Sequence, residues 1–190
     1  MPTTAPPRVS LHVEPHGLVP VARHYIRDVI YGANDGIITT FAVVAGVAGG
    51  GISPSAVLIV GAANLAADGL SMGVGNYLSI RAHESARAAE NLPEEEARPW
   101  RHGAATFLAF VIAGAIPLVP YLMSGLASRR FALSGLLTFA ALFAIGAARS
   151  VVTTGRWWIT GLEMLLLGLI VAAIGYAAGA VVAWALMSTA

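Results

Sequence analysis

DVIYGANDGIITTFAVVAGVAGG (residues 28–50), a GISP turn (51–54) and SAVLIVGAANLAADGLSMGVGNYLS (55–79) together decide the fold of this chain. A bilayer core about 30 Å thick requires roughly 20 apolar residues of helix, and each of the two long stretches supplies that length. Polar residues nevertheless lie near the middle of both, where hydrocarbon solvates them poorly. An ionisable residue at that depth indicates a functional site, because it persists only beside a partner, a cavity or an ion.

The composition of the whole chain indicates an integral membrane protein. Of its 190 residues 57% are hydrophobic and only 11% are charged, whereas about a quarter of the residues in a soluble domain are charged. We therefore predict an all-α integral membrane protein with five transmembrane helices per subunit. The absence of cysteine excludes disulfides, iron–sulfur clusters and thiolate metal sites. The net charge of +1 argues against nucleic acid as a partner.

Hydrophobic runs and their breaks predict how the chain is organised. Residues 1–28 are expected to form a flexible cytoplasmic tail with an interfacial lead-in, and residues 29–187 a five-helix membrane domain. The spans are expected at about residues 29–49, 55–80, 104–123, 131–148 and 161–187, with a short acidic cytoplasmic segment at 81–102. Arginines concentrate in the tail and in the loops at 81–101 and 149–156. The N-terminus is therefore expected in the cytoplasm and the C-terminus on the opposite side.

Polar side chains recur at helical spacing on both of the first two spans. On the second span, four of them follow one another at intervals of four residues and form one slowly turning stripe. On the first span, two aspartates seven residues apart share a face. Carboxylates and amides with a single thioether suit Fe²⁺ or Mn²⁺ better than Ca²⁺ or Mg²⁺. The predicted metal ligands are Asp28, Asp35, Asn64, Asp68, Met72 and Asn76.

Several of these residues also have a purely structural interpretation. Asp35 lies in an Asn-Asp-Gly sequence that favours helix caps and turns, and Met72 would be a packing residue in most helices. Asn64 and Asn76 are open between metal ligands and interhelical hydrogen-bonding residues. Glu163, at the start of the fifth span, is open between a role in the pathway and a position at the membrane boundary.

Two motifs carry a family resemblance: RDVIYGANDGIITTFAVVAG (27–46) and ANLAADGLSMGVGNYLS (63–79). They resemble the paired signature of the vacuolar iron transporter family, in a bacterial form, and with the five-span plan the resemblance covers about residues 24–187. It implies a proton-driven Fe²⁺ or Mn²⁺ exporter of a bacterial inner membrane, working as a dimer of five-helix subunits with the metal path near the dimer axis. By this resemblance Asp35 matches the transport aspartate of the first helix, Asp28 an acidic position at its entrance, and Met72 the methionine of the second helix.

The sequence departs from the family pattern in two places. The eukaryotic pattern has a glutamate where this chain has Asn64, and whether Asp68, one turn later, replaces that glutamate stays open. The long Glu- and Met-rich cytoplasmic domain of eukaryotic members is reduced here to residues 81–102. That segment is open between a solvated helix face and a site that gathers cations at the entrance. The residues concerned are His83, Glu84, Glu90, Glu94, Glu95 and Glu96.

Small residues on the first helix predict the contact between subunits. Gly32 and Gly36 are four residues apart, a spacing that lets helix backbones approach closely in lipid. A twofold axis beside this helix would bring two copies of Asp35 together. We therefore expect a homodimer through the first helix, surrounded by membrane lipid.

Together these features predict export of divalent iron, manganese or both from the cytoplasm, in exchange for protons. The metal is then the substrate and the proton the coupling ion, and no permanently bound cofactor is expected. The alternative is a proton-coupled carrier of a small organic cation, in which the aspartates pair with an amine. An enzyme is not expected, because no histidine lies in a predicted span and no nucleophile is grouped with a base. Fe²⁺ and Mn²⁺ accept the same ligands, so the sequence does not choose between them.

Overall fold

The protein folds into a bundle of helices, which a computed structural model describes for residues 9–124, 128–150 and 155–188. These residues contain no strand, as the predicted all-α fold requires. The helical elements are α1 (Leu18–Gly49), α2 (Pro54–Ala89), α3 (Pro99–Gly114), a 3-10 turn (Ile116–Leu118), α4 (Val119–Leu122), α5 (Arg130–Arg149) and α6 (Trp157–Ser188).

Five helical stretches within the described residues are long and apolar enough to cross a membrane, which confirms the predicted fold class. The third, Pro99–Leu122, combines α3, the 3-10 turn and α4. Its irregular middle contains Pro117 and Pro120, which lack the backbone N–H that a continuous α-helix needs. The hydroxyl of Ser134 on α5 donates a 2.7 Å hydrogen bond to the carbonyl of Pro117. This bond attaches the irregular turn to the next helix.

The helices extend beyond the spans expected from hydropathy. α1 begins at Leu18, whereas the first span was expected from residue 29. α2 passes the end of its expected span at residue 80 and continues to Ala89, where the helical spacing of His83, Arg87 and Glu90 also predicts a helix. Hydropathy reports only the part of a helix that hydrocarbon can surround, so polar turns at either end are not counted. Between the two helices the chain reverses at Gly51, whose φ of 64° favours glycine. Pro54 then occupies the first turn of α2, where its missing N–H costs nothing.

α1 is the central helix and contacts α2, α3, α5 and α6. Three of its apolar side chains, Ile37, Phe41 and Val44, are almost completely buried. They pack in the same interior as Phe110 of α3 and Leu142 of α5, both fully buried. The two aspartates of α1 are therefore carried by the helix with the most neighbours.

Glycines allow α1 and α3 to approach closely, and this corrects the predicted subunit contact. Gly32 and Gly36 are buried against the backbone of α3, where Cβ atoms would overlap the carbonyl oxygens of Thr106 and Phe110. That packing lies within one chain and leaves neither glycine available to a second subunit. The spacing indicated close helix approach correctly but did not identify the neighbouring helix.

Candidate functional site

Polar residues of three helices meet at one end of the bundle, where α1 and α3 begin and the last turns of α2 pass. They surround a cavity of about 580 Å³, which we call the end cavity. It is lined by His24, Arg27, Asp28, Ser79, Ile80, His83, Glu84, Glu95, Glu96 and His102. Charged and imidazole groups dominate this lining, which suits a cation better than an apolar ligand.

Asp28 lies at the inner wall of the end cavity and is only 2% exposed. Its Oδ1 accepts a 2.9 Å hydrogen bond from Asn76 Nδ2, and its Oδ2 lies 2.5 Å from His102 Nδ1. The Asn76 amide also donates to the hydroxyl of Thr106 at 2.8 Å. The polar stripes predicted on the first two helices therefore meet at Asp28 and Asn76, with α3 supplying the third side.

Glu96, in the segment between α2 and α3, faces two imidazoles. Its Oε2 lies 3.0 Å from His102 Nε2 and 3.3 Å from His24 Nε2, and its Oε1 accepts a 2.7 Å bond from the Arg98 N–H. Burial alone raises the pKa of the Glu96 carboxyl. The bonds from Arg98 and His102 and the positive charges of His102 and His12 outweigh burial and hold that pKa below its ordinary value. Glu96 is thus a carboxylate at neutral pH.

The other predicted carboxylates lie deeper, about 10 Å further along α1 from Asp28. Asp35 is half-buried and Asp68 is exposed on α2. Asp35 and Asp68 lie on helices that contact each other, and Asp68 is near enough for its charge to act on Asp35. Like charges repel there, and a bound cation or a proton would relieve the repulsion.

Met72 and Asn64 occupy different surroundings on α2. Met72 lines a cavity of about 260 Å³ with Tyr31, Asn76 and Ser79, between the end cavity and the deeper aspartates. Its side chain also packs against the hydrophobic core, as the structural alternative expects. Asn64 is half-buried, and its Nδ2 has no hydrogen-bond partner among the residues that the structure describes.

Glu84 orders the segment between α2 and α3. This buried carboxylate on α2 accepts hydrogen bonds from the backbone N–H groups of Glu95 at 3.2 Å and Glu96 at 3.0 Å. It therefore positions Glu96 over the end cavity. The geometry assigns Glu84 a structural contact in addition to any attraction of cations.

The remaining acidic residues of this segment differ in their neighbours. The Glu95 carboxylate pairs with Arg87 at 2.9 Å and lies 3.9 Å from His83 Nε2. Glu90 caps the C-terminal end of α2 and is exposed. Glu94 forms two backbone hydrogen bonds with the N-terminal segment. Its N–H donates to the carbonyl of Val9, and its carbonyl accepts from the N–H of Leu11.

Removal of the Glu84 carboxylate should loosen the segment that carries Glu96. Hydrogen bonds to a charged group are worth about 1.5–3 kcal/mol each, so Glu84→Ala should raise the rate of cleavage after residues 94–96 by roughly tenfold or more. A Glu-specific protease applied to the purified protein measures this rate. Glu90→Ala removes one exposed carboxylate from the same helix and should leave the rate unchanged. Equal rates in both variants would contradict the structural assignment of Glu84.

The sequence analysis missed the histidines of this site. His102 lies just before the third predicted span, and His24 precedes the first, so neither was considered as a ligand. The order of the helices could have indicated these histidines. In an up-and-down bundle each helix begins on the side where the preceding helix ends. One end of the bundle must therefore contain the start of α1, the end of α2 and the start of α3.

The first described residues also belong to this end of the bundle, although a flexible tail was expected there. Besides the backbone pairing with Glu94, the carboxylate of Glu14 contacts His12 at 2.9 Å and Arg101 of α3. The side chain of His12 is 9% exposed and lies 3.4 Å from Glu96. Residues 9–14 thus pack against the segment that carries Glu96 and against the start of α3.

Glu163 of α6 pairs with Arg149 of α5 at 2.9 Å. The carboxylate is 57% exposed and touches neither the end cavity nor the deeper aspartates. This placement favours the boundary interpretation over a role in the pathway.

Comparison with known proteins gives matches over most of the chain. The model of the VIT family matches residues 26–97 and 83–180. The two matches overlap in the segment between α2 and α3, next to the end cavity. Both carry the residues described above, with Asp28, Asp35, Asp68, Met72 and Asn76 in the first and His102 in the second.

Individual relatives match to different extents. A protein of Eucalyptus grandis named vacuolar iron transporter 1 is 26% identical over 212 residues, covering 82% of this chain and 85% of its own length. Vacuolar iron transporter 2 of Oryza sativa subsp. japonica is 26% identical, with 87% and 89% covered. A vacuolar iron transporter of Toxoplasma gondii is 46% identical over 83 residues, which are 39% of this chain and 28% of that protein.

Proposed function

Because the chain belongs to the VIT family, we propose that it is a membrane transporter of divalent iron. The names of its relatives, two of which it matches over more than four-fifths of both lengths, support iron as the substrate. Five helices of sufficient length and apolarity support a location in the membrane. Manganese is proposed as a second substrate, and export from the cytoplasm in exchange for protons as the mode of transport.

The observation that carries the proposal is that two aspartates, Asp35 and Asp68, lie within apolar spans of helices that contact each other. A carboxylate inside an apolar span is costly unless a cation or a cavity accompanies it. A divalent ion held near both aspartates would have its charge neutralised by the two carboxylates. Met72 and Asn76, one and two turns further along α2, lead from this pair to the end cavity. A cation would thus pass from Asp28 to the deeper aspartates.

Proton exchange follows from the same groups. Burial in hydrocarbon favours the neutral, protonated form of a carboxyl, whereas a bound cation favours the ionised form. One aspartate can therefore hold either a proton or part of the metal's coordination sphere. Alternating occupancy would couple the two flows in opposite directions.

A homodimer remains part of the proposal, with the contact moved away from Gly32 and Gly36. Asp68 is exposed at mid-span, together with Ser71 on the same helix and Tyr31 on α1. Lipid would not compensate a carboxylate there, and a second copy of this face would. The path would then lie between subunits, each supplying one set of ligands. The N-terminus is proposed to face the cytoplasm, because the arginine distribution favours that orientation.

The test is metal uptake into proteoliposomes that contain the purified protein, with Fe²⁺, Mn²⁺, Zn²⁺ and Co²⁺, each with and without a pH gradient. Transport of Fe²⁺ that accelerates when the opposite side is acidic would support exchange with protons. Equal rates with and without the gradient would remove proton coupling and leave iron transport in place. Absence of uptake for every metal would overturn the proposal.

Met72→Leu separates metal transport from transport of an organic cation. Leucine keeps the volume but removes the only thioether on the path, so the apparent KM for Fe²⁺ should rise about tenfold or more. Met187→Leu, on a 75% exposed side chain of α6, is the matched control and should leave KM unchanged. An unaltered KM in Met72→Leu, combined with competition by a small amine, would favour the organic-cation carrier.

A further inference from the structure

Two histidines and one carboxylate in the end cavity present their ligand atoms to a common point. His24 of α1, Glu96 of the intervening segment and His102 of α3 each offer one atom, and these atoms lie within 4.8 Å of one another. His102 is buried and the other two residues are half-buried. We call these three residues the His–Glu–His cluster.

The spacing inside the cluster is that of ligands around a metal. Metal–ligand bonds of about 2.0–2.1 Å in a tetrahedral site place neighbouring ligand atoms about 3.4 Å apart. Glu96 Oε2 already lies 3.0 Å from one imidazole nitrogen and 3.3 Å from the other. A cation can therefore enter with small movements of side chains that are already directed at one another.

One nitrogen of the cluster has its bonding capacity unused. His24 Nε2 is buried and makes no hydrogen bond to any residue that the structure describes, although it lies 3.3 Å from the Glu96 carboxylate. A buried nitrogen left in this state is costly. Coordination of a cation through its lone pair would satisfy it.

The surroundings of His102 complete the arrangement of a metal-binding histidine. Its Nδ1 faces Asp28, whose other oxygen is held by Asn76, while its Nε2 points at Glu96. A ligating histidine usually donates its second N–H to a carboxylate, which fixes the ring and increases its basicity as a ligand. Asp28 provides this support here, so Nε2 is the nitrogen left for the cation.

We propose that the His–Glu–His cluster binds one divalent transition-metal cation at the entrance, before the cation passes to Asp28 and the aspartates in the membrane. Identification of that cation with the transported metal rests on the proposed function; the binding site itself rests on the cluster alone. Two imidazoles and one carboxylate suit Fe²⁺, Zn²⁺ or Co²⁺ and not Ca²⁺ or Mg²⁺. Three protein ligands leave coordination positions open, through which the ion can exchange.

A cation at the entrance should also stabilise the two chain segments next to Glu96. Glu96 is shared between the cluster and the ordered segment held by Glu84, and its Oε1 faces His12 of the N-terminal segment. A cation bound to Glu96 therefore connects α1 and α3 with the segment between α2 and α3 and with the N-terminal segment that contains His12. Binding should thus protect this end of the protein from proteolysis.

Co²⁺ titration of the full-length protein in detergent tests the site independently of transport, because nitrogen-ligated Co²⁺ of low coordination number absorbs in the visible range. The wild-type protein should give this absorption, which should saturate at one Co²⁺ per chain, and excess Mg²⁺ should not displace the ion. His24→Gln and His102→Gln should each weaken Co²⁺ binding about tenfold or more. His16→Gln, at an exposed histidine outside the cluster, is the matched control and should bind like the wild type.

The outcomes separate this site from the proposed function. Gel filtration of each variant checks that it is folded, and Glu96→Gln offers a third variant that keeps size and shape. Unchanged Co²⁺ affinity in the folded variants, or equal displacement by Mg²⁺, would overturn the entrance site. Normal Co²⁺ binding by a wild-type protein that transports no metal would leave the site in place and remove the transport proposal. Asp68→Asn should keep Co²⁺ binding, since it lies outside the cluster.

Discussion

Asp68→Asn should reduce iron transport at least about hundredfold while the folded protein remains in the membrane. The amide keeps the size of the side chain but removes one of the two negative charges that would neutralise a divalent cation. A hundredfold loss of rate corresponds to about 2.7 kcal/mol, since each 1.36 kcal/mol is about a factor of ten. Initial rates of Fe²⁺ uptake into proteoliposomes measure the effect.

The matched control for this variant is Glu163→Gln. It makes the same change from carboxylate to amide on another membrane helix, where the residue pairs with Arg149 and is more than half exposed. We expect its uptake rate to stay within about twofold of the wild type, as is usual for exposed ion pairs. Normal uptake by Asp68→Asn would remove the deeper aspartate pair from the pathway.

Gly36→Ala should destabilise the protein strongly, although alanine is the better helix former. The new Cβ would lie 2.9 Å from the Cα of Phe110 and overlap its carbonyl oxygen. Backbone atoms cannot rotate away, so α1 and α3 must separate. Overpacking costs up to about 3 kcal/mol, which in a chain of this length lowers Tm by roughly 6–12 °C.

Gly75→Ala on α2 is the control for this substitution. A Cβ at Gly75 meets no atom within 4 Å, and alanine favours a helix over glycine by up to about 1 kcal/mol. Its Tm in detergent should therefore equal or exceed that of the wild type. If Gly36→Ala were as stable as this control, the close packing of α1 on α3 would be wrong.

The fold was largely predictable because it depends on signals that are local in the sequence. Apolar runs of sufficient length predict spans, and Gly50, Gly51 and the prolines mark where helices break. The ends of the helices were less predictable, since polar turns outside the membrane carry no hydropathy signal. α1 gains eleven residues in this way, including His24, which the sequence analysis had assigned to the interfacial lead-in.

The candidate site was predictable only where it lies on a regular stripe. Spacing on α1 and α2 identified Asp28 and Asn76, and the structure joins them by a hydrogen bond. His102 belongs to a third helix, and its approach to Asp28 spans 74 positions of sequence. No periodicity within one element reports such a contact. The two motifs that carry the family resemblance, which the family match confirms, likewise lie on the first two helices.

The glycine pair on α1 shows that a sequence pattern can predict close helix packing without identifying the helix that packs there. A small-xxx-small motif reports that some backbone comes close, but every helix in the bundle is a candidate for that backbone. α3 occupies the position here, and similar contacts join Gly46 of α1 to Gly179 of α6. Only the arrangement of the whole bundle distinguishes a neighbour in the same chain from one in another.

The central position of α1 has a consequence for biosynthesis. Among the described helices α1 is synthesised before the others, yet it packs against α6, which follows them all in the chain. Until α6 is in place, the face of α1 around Gly46 and Gly49 lacks the backbone of α6 that packs against it. Distant contacts form slowly because the intervening chain must first be brought together. α1 therefore stays partly unenclosed until α6 has been made.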